Sequence, residues 1–291
     1  MSYTYHQLEF PTKNKLTSLR LSFPAISKQV YFQSDYLTIA GDLYQPQHLD
    51  NSPAIVLLHG ISIFGRKLPL IQVLAQKFQE MGYTVLAVDC RGFGESEDPL
   101  DRNFQDFDFA RDVQSAIDFL ISQVPINPSQ LYVFGHSFGG GVALAAQARD
   151  PRIKKLVLLG PTRRGTERFL SAGTQEQERC VGRMRADMEL EKPLNFSLVK
   201  QISKPLYIEN YIDDFSKNVH IPIFLIDAEY EAKEDLEFLR DIYQSMAQPV
   251  EYWTVPKTGH RLSTGFLLRW PCYNQQVVET FVTRVDQWLQ Q

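Results

Sequence analysis

Short apolar runs alternate with stretches of helical spacing along most of this 291-residue chain, and that alternation is its strongest constraint. Residues 54–58 read Ala-Ile-Val-Leu-Leu. A run that is apolar at every position, not every second one, suits a strand covered on both faces. Similar strands are predicted over 83–88, 131–134, 155–159, 221–226 and 250–255. Between and after them, apolar residues recur at helical spacing over 68–81, 106–123, 139–149, 233–246 and 274–289, with Gly82 stopping the first helix. Residues 28–33 and 36–44 instead alternate apolar and polar around Ser34-Asp35, the pattern of an antiparallel pair. Eight strands with crossover helices imply an α/β fold. Its sheet is mostly parallel with helices on both faces, and the first hairpin supplies an antiparallel edge.

Two stretches fall outside this rhythm. Residues 1–27 show no period and read as an N-terminal arm. Residues 161–219 interrupt two strands and are charged, with Arg163, Arg164, Glu167, Arg168, Arg183, Arg185 and Glu191. A structureless loop of that length does not suit a compact domain, so the segment reads as an inserted helical cap or lid. The core domain is then 28–160 together with 220–291.

Composition excludes several classes. A net charge of −4 is not that of a nucleic-acid binder. Cys90, Cys180 and Cys272 are too few and too scattered for a disulfide framework or a thiolate metal site. No run reaches the ~18 apolar residues of a membrane span, and the first residues lack the apolar core of a secretory leader. The expectation is a cytoplasmic protein with no membrane or nucleic-acid partner, no cofactor and no metal. Its oligomeric state is open.

The chemistry concentrates in four places. Gly135-His136-Ser137-Phe138-Gly139 joins the strand at 131–134 to the helix at 139–149. G-x-S-x-G between a strand and a helix is a nucleophile elbow. The sharp turn lifts the serine hydroxyl clear of the sheet, and small neighbours permit the backbone conformation. The helix start adds N–H groups and a positive dipole for an oxyanion. Second, His59-Gly60-Ile61 ends the strand at 54–58, where a backbone N–H can complete an oxyanion hole. The two donors expected are those of Ile61 and Phe138.

Third, Thr258-Gly259-His260 follows the last strand. A general base needs an imidazole on a loop over the nucleophile. His6 and His48 lie near the N-terminus, His59 and His136 belong to other motifs, and His220 precedes a strand, which leaves His260. Fourth, an acid to orient that histidine belongs between serine and histidine in chain order. The stretch after 221–226 offers Asp227, Glu229, Glu231, Glu234 and Asp235, and composition alone does not choose among them.

With these motifs in place, the chain resembles the alpha/beta-hydrolase superfamily over roughly residues 28–291. Asp89-Cys-Arg91-Gly92-Phe-Gly94-Glu-Ser96 matches the family's D-x-R-G-x-G-x-S segment, which carries no catalytic residue. Against the family pattern P-x-x-x-x-x-G-x-x-D, the residues from Pro222 onward place Glu231 at the acid position, with Asp227 next. Ala228 stands where the pattern has glycine, and glutamate replaces aspartate. The opening hairpin is similar to those of esterase-like and dienelactone-hydrolase-like branches. The resemblance also implies that relatives with an aspartate or cysteine nucleophile do other chemistry, so Ser137 disfavours those reactions.

The activity expected is hydrolysis of a carboxylic ester or thioester by Ser137, His260 and Glu231 through an acyl-enzyme, on a small-molecule acyl substrate. The same groups would serve an acyltransferase, lyase or perhydrolase. A non-catalytic receptor-like member of the fold is the remaining alternative. No phosphate loop, dinucleotide fingerprint or metal-ligand run is present.

Overall fold

In the computed structural model, the described residues are 27–47, 50–99, 103–161, 178, 196–211, 221–246, 250–267 and 270–291. Their strands are β1 (Ser27–Ser34), β2 (Leu37–Tyr44), β3 (Ser52–Leu58), β4 (Thr84–Val88), β5 (Ile126–His136), β6 (Lys155–Leu159), β7 (Ile223–Ala228), β8 (Val250–Val255), β9 (Gly265–Leu267) and β10 (Trp270–Cys272). Their helices are α1 (Pro69–Glu80), α2 (Phe109–Gln123), α3 (Phe138–Gln147), α4 (Phe196–Ser203), α5 (Lys233–Ser245) and α6 (Gln275–Leu289).

Eight strands form one sheet in the order β1-β2-β4-β3-β5-β6-β7-β8. β1 and β2 are antiparallel, and β2 meets β4 antiparallel. From β4 onward every pairing is parallel. Alternate residues of β3 serve opposite cores: Ala54, Val56 and Leu58 pack with α2, α3 and α5, while Ile55 and Leu57 pack with α1 and α6. Residues 54–58 are apolar at every position because this part of the strand has no solvent face.

Several bounds differ from the sequence reading for local reasons. The hairpin turn falls at Asp35-Tyr36, where Asp35 takes a positive φ of 54°. Aspartate tolerates that conformation better than most residues. β5 begins at Ile126, five residues before its apolar run, with Asn127-Pro128-Ser129 partly or fully exposed. The helix expected over 106–123 splits at Asp108. A 3₁₀ turn, Phe104–Phe107, is closed by reciprocal hydrogen bonds between Asn103 and Asp106 before α2 begins. The three-residue strands of the β9–β10 hairpin are too short to show a period.

Two buried ion pairs brace the sheet near the future site, and both use the Asp89–Ser96 segment. Arg66, fully buried, binds Asp42 (3.0 Å), Asp89 and Glu95 (2.7 Å). Arg91 binds Asp112 at 2.7 Å, both buried. The Ser96 hydroxyl donates to the Asp89 carbonyl (2.7 Å) and accepts from the Ala40 N–H (2.9 Å). The segment is thus a structural clamp.

Of the insertion expected over 161–219, Pro161, Glu178 and residues 196–211 are described. Leu198, Val199, Ile202 and Leu206 join the core cluster that contains α3. A Cβ on Gly141 of α3 would lie 2.7 Å from the Leu206 Cβ, so this segment rests directly on the helix behind the elbow. The rest of that insertion, and the arm over 1–27 apart from Ser27, lie outside the described residues. So do His6, His48, His220 and Cys180.

Candidate active site

The carboxyl ends of β3 and β6 hold Ser137 at the end of β5, and the loops after β7 and β8 meet over the neighbouring Gly160. Ser137 is the N-cap of α3, with φ 53° and ψ −116°, a combination few non-glycine residues adopt. The conformation is held from both sides. The Ser137 N–H donates to the Leu159 carbonyl at the end of β6 (2.8 Å). The Gly139 N–H donates to the His59 carbonyl just past β3 (3.1 Å). Gly139 must lack a side chain, because a Cβ there would stand 2.7 Å from the Leu58 and His59 carbonyl oxygens.

His260 and Glu231 meet over the next residue of the same strand end. The His260 Nδ1 is hydrogen-bonded to Glu231 Oε1. A Cβ on Gly160 would lie 3.0 Å from His260 Cε1 and 3.6 Å from Glu231 Oε1. Gly160 also takes a φ of 54°, so glycine is required there on two counts. Ser137 is thus tied to Leu159, and the imidazole–carboxylate pair sits on the adjacent Gly160. An Nδ1–H donated to the carboxylate leaves Nε2 with the lone pair that a base needs. His260 remains 42% exposed and Glu231 13%, so the pair is reachable yet partly shielded.

The other carboxylates of this stretch are otherwise engaged. Asp227 is fully buried within β7, registered with Thr254 of β8. Glu229 accepts from the Lys257 N–H (2.6 Å), closing the loop against the β8 exit. Glu234 and Asp235 occupy the first turn of α5, where carboxylates favour the helix dipole. The backbone brings Glu231 back over the sheet through two turn bonds, Tyr230 N–H to Thr258 carbonyl (2.9 Å) and Glu231 N–H to Ala228 carbonyl (3.0 Å).

Ile61 and Phe138 flank the serine from β3 and α3. Neither N–H has a hydrogen-bond partner among the described residues. The Phe138 ring is buried against Phe93 (5.3 Å between centroids) and Phe109 (4.9 Å, edge-on), which fixes the first turn of α3. His59 is buried below. Its Nδ1–H donates to the Gly60 carbonyl (2.7 Å), and its Nε2 accepts from the Cys90 N–H (3.3 Å). Burial pushes its pKa below the usual histidine value, against the opposing pull of Asp89. A cavity of ≈ 480 Å³ opens beside His260, lined by Tyr230, Arg261, Ser263 and Thr264. Among the described residues there is no His, Cys, Asp and Glu cluster suited to a metal ion. No helix among them is long and apolar enough to cross a membrane.

Comparison with known proteins agrees with the fold. The family described as serine aminopeptidase, S33, matches residues 50–229. The quorum-quenching protein AidA of Acinetobacter baumannii is 31% identical over 134 residues, 46% of this chain and 43% of its own length. The thiohydrolase aneE of Aspergillus aculeatus is 27% identical over 182 residues, 60% of this chain and 56% of its own. The chain spans about half the length of these curated relatives. Among solved structures, Est1E of Butyrivibrio proteoclasticus with bound ferulic acid superposes with a TM-score of 0.66. It shares 17% identity over 89% of this chain and 97% of its own, a likeness of fold.

Proposed function

Because the chain belongs to the alpha/beta-hydrolase superfamily, matched over more than half its length by the serine aminopeptidase S33 family, we propose that it is a serine hydrolase of carboxylic esters or thioesters. The observation that carries this reading is the hydrogen-bonded His260–Glu231 pair seated on Gly160, next to the carbonyl that holds the Ser137 amide.

Ser137 Oγ attacks the acyl carbonyl while His260 Nε2 takes its proton. Glu231 keeps the Nδ1–H tautomer and offsets the positive charge that develops on the ring. The N–H groups of Ile61 and Phe138 receive the oxyanion, aided by the start of α3. Collapse expels the leaving group, which takes the proton from His260. Water then attacks the acyl-enzyme by the same relay and releases the acid. Residues 196–211, the described part of the insertion apart from Pro161 and Glu178, pack on α3 behind the elbow and supply apolar surface next to it. The thiohydrolase name of one relative favours thioesters as a second substrate class beside esters.

The test is a matched series of p-nitrophenyl esters and acyl thioesters of increasing chain length, with products identified by mass spectrometry. Free acid formed with saturation kinetics is expected. Acyl groups appearing on an added alcohol instead of water would assign the same residues to transfer, and no turnover of any member would contradict the proposal.

A further inference from the structure

His136 immediately precedes the nucleophile, yet its side chain turns away from the reaction and toward the base. It is 2% exposed, the last residue of β5, registered with Leu159. Its Nε2 lies 2.9 Å from the backbone carbonyl of His260. The two imidazole rings are 4.9 Å apart between centroids. On its other side Gly60 leaves the space the ring needs, since a Cβ at 60 would lie 2.8 Å from His136 Nδ1 and 3.2 Å from the Ser137 Cβ. His136 therefore touches the β3 exit, adjoins the nucleophile in sequence and grips the β8 exit loop.

We infer that His136 is a positioning residue, whose Nε2–H donated to the His260 carbonyl sets the loop that carries the catalytic base. This rests on the triad reading above. An acceptor at Nε2's distance fixes the tautomer: the proton is on Nε2 and the lone pair on Nδ1. That Nδ1 is buried with no hydrogen-bond partner among the described residues. A buried acceptor left unpaired is unfavourable, so the ring is not there to satisfy its own polarity. What it supplies is a bond to the His260 carbonyl, the one to that backbone among the described residues. The loop's other bonds run within itself, Gly259 N–H to Ser263 carbonyl (2.9 Å) and Leu262 N–H to Gly259 carbonyl (2.8 Å), or to the β7 exit, through Thr258 to Tyr230, Lys257 to Glu229 and His260 to Glu231, and none of these ties it to the elbow.

The charge environment keeps this bond in one state. Burial is the main cause that pushes the His136 pKa well below the usual value; the charges of His260, Arg261 and His59 act in the same direction, and the hydrogen bond to the His260 carbonyl opposes them without overcoming them. The ring stays neutral, so it adds no positive charge beside the imidazolium that forms on His260 during turnover. A protonated residue at 136 would oppose that step.

The test compares His136→Gln with His136→Asn. The glutamine amide nitrogen falls near the place of Nε2 and can donate to the His260 carbonyl, whereas the asparagine amide falls near Nδ1 and stops short. Both are polar and of moderate size, so a general loss of packing affects them alike. Each is assayed on an alkyl ester and on a p-nitrophenyl ester of the same acid. The alkyl leaving group requires protonation by His260, and p-nitrophenolate hardly does.

The asparagine variant is expected to lose about 10²-fold in kcat on the alkyl ester, the scale of an ångström misplacement of a reacting group. KM should be unchanged, with a clearly smaller loss on the p-nitrophenyl ester. Glutamine should recover most of the alkyl-ester rate. Equal losses on both esters, equal behaviour of the two variants, or full activity in the asparagine variant would each overturn the inference. A wild-type protein that turns over neither ester while remaining folded would overturn the triad reading, and this role with it. If the asparagine variant does not fold, His136→Leu serves the same comparison with glutamine.

Discussion

Replacing Glu231 by glutamine separates the charge of the acid from its shape. The amide oxygen can still accept from His260 Nδ1, so the geometry of the contact survives, and what is lost is the attraction between carboxylate and imidazolium. Two unit charges about 4 Å apart interact by about 4 kcal/mol at an effective dielectric of 20, and by about 1 kcal/mol in bulk water. With the glutamate 13% and the histidine 42% exposed, the pair lies between these limits. At about 1.4 kcal/mol per decade, the range is roughly 10- to 10³-fold in rate. Glu231→Gln is therefore expected to lose about 10²-fold in kcat, with KM little changed because the neutral ground state feels the charge weakly. Asp227→Asn, buried one strand position inside the sheet edge, should lose less than about tenfold. The assay is steady-state turnover of the best ester from the chain-length series, with thermal melting of each variant alongside. The reverse ranking would move the acid to Asp227, and undiminished kcat in both variants would refute the electrostatic reasoning.

Three other outcomes follow from the same geometry. Gly160→Ala should lower kcat by about 10²-fold, since its Cβ would press the His260 ring from 3.0 Å; unchanged turnover would show that the ring has room to shift. Arg66→Met leaves Asp42 and Asp89 buried without their shared cation and should cost about 3–5 kcal/mol in urea unfolding, whereas a loss below about 1 kcal/mol would demote the clamp to a surface-like contact. The folded pKa values of His59 and His136 are both depressed by burial, so below pH ~6.5 the unfolded chain binds more protons than the folded one. Each should therefore remove up to about 1.4 kcal/mol of stability per pH unit on acidification from that point, His136→Gln should remove one share of the slope, and a flat profile between pH 7 and 5 would contradict it.

Much of this architecture was legible because two periodicities are distinct. The all-apolar 54–58 run and the clear stripe of α2 mark a doubly covered sheet, and the strands at 155–159 and 250–255 fall where the pattern puts them. What escaped was either short or decided by tertiary contact. β9 and β10 have three residues each, fewer than a period needs. The first half of β5 carries Asn127-Pro128-Ser129 and joins the sheet through a register shift opposite Ser52 and Ala54. At the site, motif spacing singled out Ser137, Phe138, Ile61 and His260. Among five carboxylates within nine residues, the choice depends on backbone turns that fold Glu231 over Gly160 while committing Glu229 to the Lys257 amide. No local pattern encodes that. The grip of His136 on the His260 carbonyl was invisible for a related reason. It joins residues 124 apart in sequence, and its signal was only that an imidazole, not any other residue, occupies the second place of the elbow.

The central claim is that Ser137 is a nucleophile activated by His260. Intact-mass measurement after treatment with a fluorophosphonate tests it most directly, because the reagent forms a covalent bond only with a hydroxyl whose proton is being withdrawn. The wild-type protein should gain one adduct, mapped by peptide sequencing to Ser137. His260→Ala should label at least ~10²-fold more slowly, and a folded Ser137→Ala should not label at all. Full-stoichiometry labelling of the Ser137→Ala protein, or no adduct on the folded wild type, would contradict the account.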